Sequence, residues 1–213
     1  MTMTAILTPE MQAQLDRVRD LLARLRDALN RFGAAAPDRE SMAASIRQLD
    51  ELFLLVVVGE FNAGKSAFIN ALVGSSVLEE GVTPTTAHLH VLKYGDGMGS
   101  TIEPDGLRVV TAPVDLLRNV HVVDTPGTNA IIREHEKLTS DFVPRADLVL
   151  FVTSADRPFT ETERQFLETI RGWGKKIVIV INKVDIFESS AELEQVVRFV
   201  HDAAQRMLGK AHA

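Results

Sequence analysis

Leu52-Phe53-Leu54-Leu55-Val56-Val57-Val58 runs straight into Gly59-Glu60-Phe61-Asn62-Ala63-Gly64-Lys65-Ser66, and from Ala63 the pattern turns helical as far as Val73. The apolar run reads as a strand buried on both faces, the habit of parallel sheets. The octet after it fits G-x-x-x-x-G-K-[ST] in the context that gives this pattern meaning, between a strand and a helix. Its glycines let the backbone bend until successive N–H groups face one point, and the helix N-terminus adds positive potential there. Such a concavity suits phosphate. Lys65 is placed to reach β- and γ-phosphates and the Ser66 hydroxyl to ligate Mg2+. Gly59, Asn62, Ala63, Gly64 and Ala67 complete the expected nucleotide-binding stretch. The loop specifies a nucleoside triphosphate without naming its base.

Further along, Val120–Asp124, Leu148–Thr153 and Ile177–Ile181 are short apolar runs of strand type, and His88–Tyr94 alternates faces. Gly95–Ser100 reads as a turn, after which Leu107–Thr111 can pair back as the next strand. One helical pattern, Glu161–Arg171, lies between the last two apolar runs, and another, Ala191–Leu208, follows them. The first is announced by Thr160 with Glu163 three residues on, a capping-box spacing. Strands alternating with helices predict an α/β fold with a mainly parallel sheet flanked by helices.

Two of those strands end in chemistry. Asp124-Thr125-Pro126-Gly127 closes one of them. A carboxylate there can hold Mg2+ through water, and the N–H of Gly127 can approach a γ-phosphate with no side chain in the way. Asn182-Lys183-Val184-Asp185 closes another. Asp185 can accept two hydrogen bonds from guanine N1–H and N2–H2, which adenine does not offer, while the stem of Lys183 lies along the base. Each of these short patterns is cheap by itself; in this order, each at a strand end, they select GTP.

The three motifs resemble the first, third and fourth signature elements of the P-loop GTPases, over about Leu52 to Asp185. GEFNAGKS, GVTPTTA, VVDTPGTN and FVTSADRPFT together look like the bacterial dynamin-like and mitofusin-like GTPases. That resemblance implies Mg2+-dependent hydrolysis of GTP to GDP and phosphate, with Lys65, Ser66, Thr86 and Gly127 around the γ-phosphate and Ser66, Thr86 and Asp124 around the metal. It assigns Thr86, with Thr85 as its rival, to the switch segment of about Ser75–Ala87. Asn62 is similar to an Asn that helps hold K+ beside the phosphates in GTPases that dimerise through their nucleotide faces. Asp156 and Arg157, in Ser154–Thr160, correspond to a loop that crosses to the partner's nucleotide; a plain helix-capping surface loop is the alternative. Thr128 and Asn129 follow Gly127 where Ras-like enzymes place a water-orienting Gln, so water must be oriented by the first switch, a partner or a cation. His135 and Trp173 read as a solvated helix residue and a packing or turn anchor.

Before the strand run lies a different pattern. Met11, Leu15, Val18, Leu22, Leu25, Leu29 and Phe32 recur at alternating intervals of 4 and 3 residues, between Thr8-Pro9 at one end and Gly33 at the other. This is a heptad seam on one helix over 8–32, and it needs a covering surface. It either folds back on the globular part or joins a neck bundle of the kind that flanks dynamin-type GTPase domains. A second helical stretch is expected at about Arg39–Glu51. The expected division is a helical segment, 1–51, and a GTPase domain, 52–213, that stops before the strand and loop of the fifth signature element (G5), as an N-terminal piece of a longer protein would.

Composition narrows the classes. The 213 residues are 46% apolar with net charge −6 and no cysteine. No disulfide framework or Cys-type zinc site is available, which fits a reducing cytoplasm. An acidic chain is a poor match for nucleic acid bound through bulk charge, so no nucleic-acid partner is expected. No apolar run approaches the ~20 residues of a membrane span, and no secretory signal opens the chain. The family reading therefore predicts GTP and GDP, a homodimer through GTPase domains, and peripheral membrane association through lipid-binding regions outside this chain. The rivals are an Era/EngA-like ribosome- or RNA-associated GTPase and a GTP-dependent scaffold with negligible turnover. A basic RNA-binding module would mark the first, and retention of GTP without phosphate release the second.

Overall fold

The computed structural model describes residues 8–39, 42, 46, 53–80, 89–103, 106–125, 142–172 and 174–209. They divide between two units, Met1–Leu52 and Phe53–Ala213.

In the first unit, α1 (Pro9–Arg31) follows its local signals. Thr8 is extended, its Oγ1 accepts from the Met11 N–H at 3.2 Å, and Pro9 occupies the first turn where no N–H is needed. Phe32 ends the helix and Gly33 leaves it with φ 64°. Asp16–Arg19 and Asp20–Arg24 are exposed ion pairs that add little to stability. Met11, Val18, Leu25 and Phe32 of the heptad seam are exposed. The expected helix at about Arg39–Glu51 lies almost wholly outside the described residues.

The second unit is built on a seven-stranded sheet in the order β3-β4-β2-β5-β1-β6-β7. Its strands are β1 (Leu54–Gly59), β2 (His90–Tyr94), β3 (Gly99–Ile102), β4 (Arg108–Ala112), β5 (His121–Asp124), β6 (Leu148–Ser154) and β7 (Ile177–Asn182). The helices are α2 (Lys65–Val73), α3 (Glu161–Arg171) and α4 (Ser190–Leu208). β1 lies between β5 and β6, parallel to both, and every one of its residues is buried. The period of two sorts its side chains between two cores. Leu54, Val56 and Val58 join Phe151, Leu167, Ile170 and Val200 on the face covered by α3 and α4. Leu55 and Val57 join Ile69, Val73, Val122 and Val152 on the face of α2. The Asp147 carboxylate accepts from the Leu54 N–H at 2.8 Å and fixes where the strand starts.

Most boundaries fall within two residues of the sequence expectation; β1 starts at Leu54 rather than Leu52 and takes in Gly59. The region after β2 departs further. Gly99–Ile102 is a strand where the sequence pattern predicts a turn, and β4 pairs with β2 in parallel rather than folding back on it. β3 supplies the antiparallel partner of β4 at the sheet edge. All four residues of β3 are exposed, so it has no apolar face to betray it in the sequence. The other antiparallel ladder among the described residues joins β2 to β5, so the sheet is mixed but mainly parallel. At the opposite edge β7 is apolar at nearly every position yet mostly half-exposed.

Candidate nucleotide site

Because β1, β5, β6 and β7 are tied by parallel ladders or share a parallel neighbour, their C-terminal ends reach the same edge of the sheet. Ligand sites of open α/β sheets form there. Gly59, Asp124, Ser154 and Asn182 end those four strands, so the three sequence motifs converge although they are spread over more than half the chain.

Left-handed backbone shapes the loop between β1 and α2: Asn62 has φ 63° and Gly64 φ 83°. Ala63 is buried at its centre, while Asn62 and Ala67 are exposed. Lys65 is buried, and its Nζ donates to the carbonyls of Gly59 at 3.1 Å and Glu60 at 3.0 Å. Burial lowers its pKa, and Asp124, Glu163 and Glu60 act against that. Ser66 Oγ donates to Asp124 Oδ2 at 3.0 Å. Asp124 is fully buried, and its other oxygen has no hydrogen-bond partner among the described residues. Burial pushes the Asp124 carboxyl up to about 6, restrained by Lys65 and by the Ser66 hydroxyl.

Asn182 reaches the loop directly: its Nδ2 donates to Ala63 O at 2.9 Å. Lys183 is left-handed at φ 60° and opens the 3-10 turn Val184–Ile186, which carries Asp185 exposed. Thr85, Thr86, Gly127, Thr128, Asn129, His135 and Trp173 lie outside the described residues. The loop after β6 is firm at its base and open at its tip. The Ser154 hydroxyl donates to Asp156 and lowers that carboxyl, and Arg157 is exposed with its Nε 3.8 Å from Asp156. Phe159, left-handed at φ 59°, is buried with its ring 6.2 Å from Phe151. A cavity of about 240 Å³ separates this loop from the phosphate loop, and Glu60, Asn62, Asp156, Arg157 and Lys183 line it.

Several contributors are not apparent from the sequence. The Thr125 hydroxyl donates to Val57 O at 2.9 Å and locks the end of β5 to β1. Glu163 completes the capping box of α3, but it is also buried and accepts from the Thr153 hydroxyl at 2.9 Å. Thr160 Oγ1 in turn donates to Glu60 at 3.2 Å, tying the start of α3 to the phosphate loop. The capping spacing is visible in the chain; the link to Glu60, a hundred residues away, is not.

Two glycines are required for different reasons. A Cβ on Gly59 would sit 2.1 Å from the carbonyl oxygen of Val152, in the neighbouring strand. A Cβ on Gly64 would sit 2.3 Å from the Asn182 amide, a side chain that can turn away. G59A should therefore cost about 3 kcal/mol or more of stability in thermal or urea unfolding. G64A should cost less, about 2 kcal/mol for a left-handed position and a displaced Asn182, with its larger effect a loss of GDP affinity as Asn182 lets go of Ala63. Equal stability losses in the two variants would refute this division.

The family model described as a 50S ribosome-binding GTPase matches residues 54–183, from the start of β1 to the lysine after β7. A probable transmembrane FZO-like chloroplastic GTPase of Arabidopsis thaliana is 43% identical over 192 residues, covering 86% of this chain and 21% of that protein. A bacterial dynamin-like protein of Nostoc punctiforme is 31% identical over 189 residues, covering 70% of this chain and 27% of its own. A solved structure of an oligomerised bacterial dynamin pair shares the fold, with TM-score 0.64 at 17% identity, over 97% of this chain and 38% of that one. The chain thus spans only a part of the curated relatives it matches, between 21% and 58% of the first three. Since the matching span takes in the sheet core, the phosphate loop and Asp124, the chain belongs to this GTPase family, with dynamin-like GTPases among its relatives.

Proposed function

We propose that this chain hydrolyses GTP to GDP and phosphate with Mg2+, and that two copies meet through their nucleotide faces to do so. The observation that carries the reading is the Ser66–Asp124 pair at the mouth of the phosphate loop. A fully buried carboxylate with one oxygen unpartnered among the described residues, beside a hydroxyl 3.0 Å from the other, is a costly arrangement that a bound cation relieves. An all-oxygen pair of this kind fits Mg2+, with Ser66 as a direct ligand and Asp124 acting through water. When bound, the ion supplies positive charge against the β- and γ-phosphates.

Everything else is the work of the chain itself. Lys65 exchanges the Gly59 and Glu60 carbonyls for phosphate oxygens, and the N–H groups around Asn62, Ala63 and Gly64 line the same oxygens. Asn182 holds that loop in shape, while Asp185 and Lys183 select and flank guanine. Thr86, with Thr85 as the alternative, and the Gly127 N–H close on the γ-phosphate. With Thr128 after Gly127, the attacking water is oriented by the first switch and by the partner, to which Asp156 and Arg157 are presented. Asn62 contributes to a K+ site, a reading supported by its place in the phosphate loop and its exposed side chain. The reading extends to peripheral membrane association from the cytoplasm, with hydrolysis coupled to remodelling or fusion. The exposed Met11, Val18, Leu25 and Phe32 of α1 and the dynamin-like relatives support this. Among the described residues no helix is long and apolar enough to cross a membrane.

GTP turnover per molecule, measured over a range of protein concentrations in K+ and in Na+, tests the proposal. Specific activity is expected to climb with concentration, and to be roughly tenfold or more higher in K+, the scale of one well-placed charge. Turnover independent of concentration removes the dimer. Equal rates in the two salts remove the K+ site. GTP held without phosphate release points to the scaffold instead.

A further inference from the structure

Asn70 lies inside α2, on the helix that begins at Lys65 and Ser66, and it is buried at 7% exposure. Asn is a poor choice for a helix interior, because its side chain competes for backbone hydrogen bonds. Here that competition is put to use just after the helix ends at Gly74. Asn70 Oδ1 accepts from the N–H groups of Val77 at 3.0 Å and Leu78 at 2.9 Å. Its Nδ2 donates to Leu78 O at 2.9 Å and to Glu80 Oε1 at 2.6 Å. An amide has two donors and two acceptor positions, and all four are engaged. The Asn70 carbonyl adds a fifth contact, from the Ser75 N–H at 3.1 Å. Leu78 is buried in the α2-side core, so a polar clamp and an apolar plug hold the same short stretch.

We infer that Asn70 is a positioning residue, clamping the root of the segment that carries Thr85 and Thr86 to the helix that carries Ser66. The inference rests on the reading of that segment as the one closing over the γ-phosphate. Through Asn70, the start of the segment and the Ser66 hydroxyl are set by one rigid element. A mere loop brace would stabilise the fold and treat all nucleotides alike. A clamp on the γ-phosphate segment discriminates GTP from GDP.

N70D keeps the oxygen that accepts from Val77 and Leu78, removes both donors and sets a second carboxylate oxygen against Leu78 O and the Glu80 carboxylate. N70D/E80Q restores the contact with donor and acceptor exchanged, since the new amide can donate to the new carboxylate. Affinities for a fluorescent GDP and for a non-hydrolysable GTP analogue, with kcat for GTP, are measured for both variants, for E80A and for the unaltered protein. N70D is expected to lower analogue affinity and kcat by about tenfold, with GDP affinity changing by less than twofold. The double variant is expected to regain most of the loss, and E80A to show a small loss in the same direction. If N70D leaves the ratio of analogue to GDP affinity unchanged, or weakens both equally with no recovery in the double variant, Asn70 is a brace and the inference fails alone. If the unaltered protein binds neither nucleotide, the GTPase reading fails and takes this inference with it. Should N70D not fold, E80A decides: an unchanged ratio overturns the clamp.

Discussion

Replacing Lys65 with methionine lowers kcat/KM for GTP by ~10²–10³-fold, the loss expected when one preorganised charge is removed from a developing oxyanion, about 3–4 kcal/mol. Methionine keeps an unbranched stem in the buried channel, so the change isolates the ammonium. That ammonium is held in a defined position, on the carbonyls of Gly59 and Glu60. Burial disfavours the Lys65 charge while Asp124, Glu163 and Glu60 support it, so the surrounding carboxylates keep the cation available to the phosphates. GDP affinity falls less than kcat/KM, because the γ-phosphate contact is absent from GDP. Steady-state kinetics with parallel GDP titrations decide the matter. A change in kcat/KM of under tenfold would mean that Lys65 is not at the reacting phosphate.

Asp124→Asn is expected to move stability and turnover in opposite directions. The folded-state pKa of Asp124 is raised to about 6 from the usual 3.8. The folded protein therefore binds this proton more readily than the unfolded chain. Stability from this group is fully present below about pH 4, declines as pH rises to about 6, and stays lost at neutral pH. Holding the ionised carboxylate in its buried place at neutral pH thus costs about 3 kcal/mol, and the neutral amide escapes most of that cost. Without nucleotide or metal at pH 7.5, D124N should be more stable by roughly 1–3 kcal/mol. It should also lack the acidic slope of stability expected of the unaltered chain. Its Mg2+-dependent GTP turnover should fall ~10²-fold or more, because the carboxylate that faces the metal is gone. Urea unfolding at several pH values gives the first result and phosphate release the second. A D124N protein less stable than the unaltered chain at pH 7.5, with the same pH slope, would show that the buried carboxylate carries no such strain.

Local chemistry is legible wherever a few neighbouring residues decide the outcome. Thr8 and Pro9 start α1 as their spacing demands, and Thr160 with Glu163 start α3 by reciprocal capping. The apolar runs form β1, β5, β6 and β7 with boundaries shifted by two residues at most; β1, buried at every position, shows why, since a strand covered on both faces must be apolar throughout. β3 is not legible, because a fully exposed edge strand carries no pattern of burial. Nor is the parallel pairing of β4 with β2, a choice among partners rather than a property of either segment.

The order of motifs, strand end after strand end, is written in the chain, and it suffices for the fold class and for GTP as the ligand. Which atoms touch is a different matter. That Asn182 reaches across to Ala63, that Thr160 grips Glu60, and that Asn70 commits its whole amide to Val77, Leu78 and Glu80 are outcomes of packing. So is the burial that drives the Asp124 carboxyl up. A hydrogen bond or a desolvation cost exists only once two distant segments share a place and water is gone from it. Caps, turns and apolar periods act between near neighbours, and sequence records them; side-chain partners and shifted acidities arise only when the sheet has formed and brought its strand ends together.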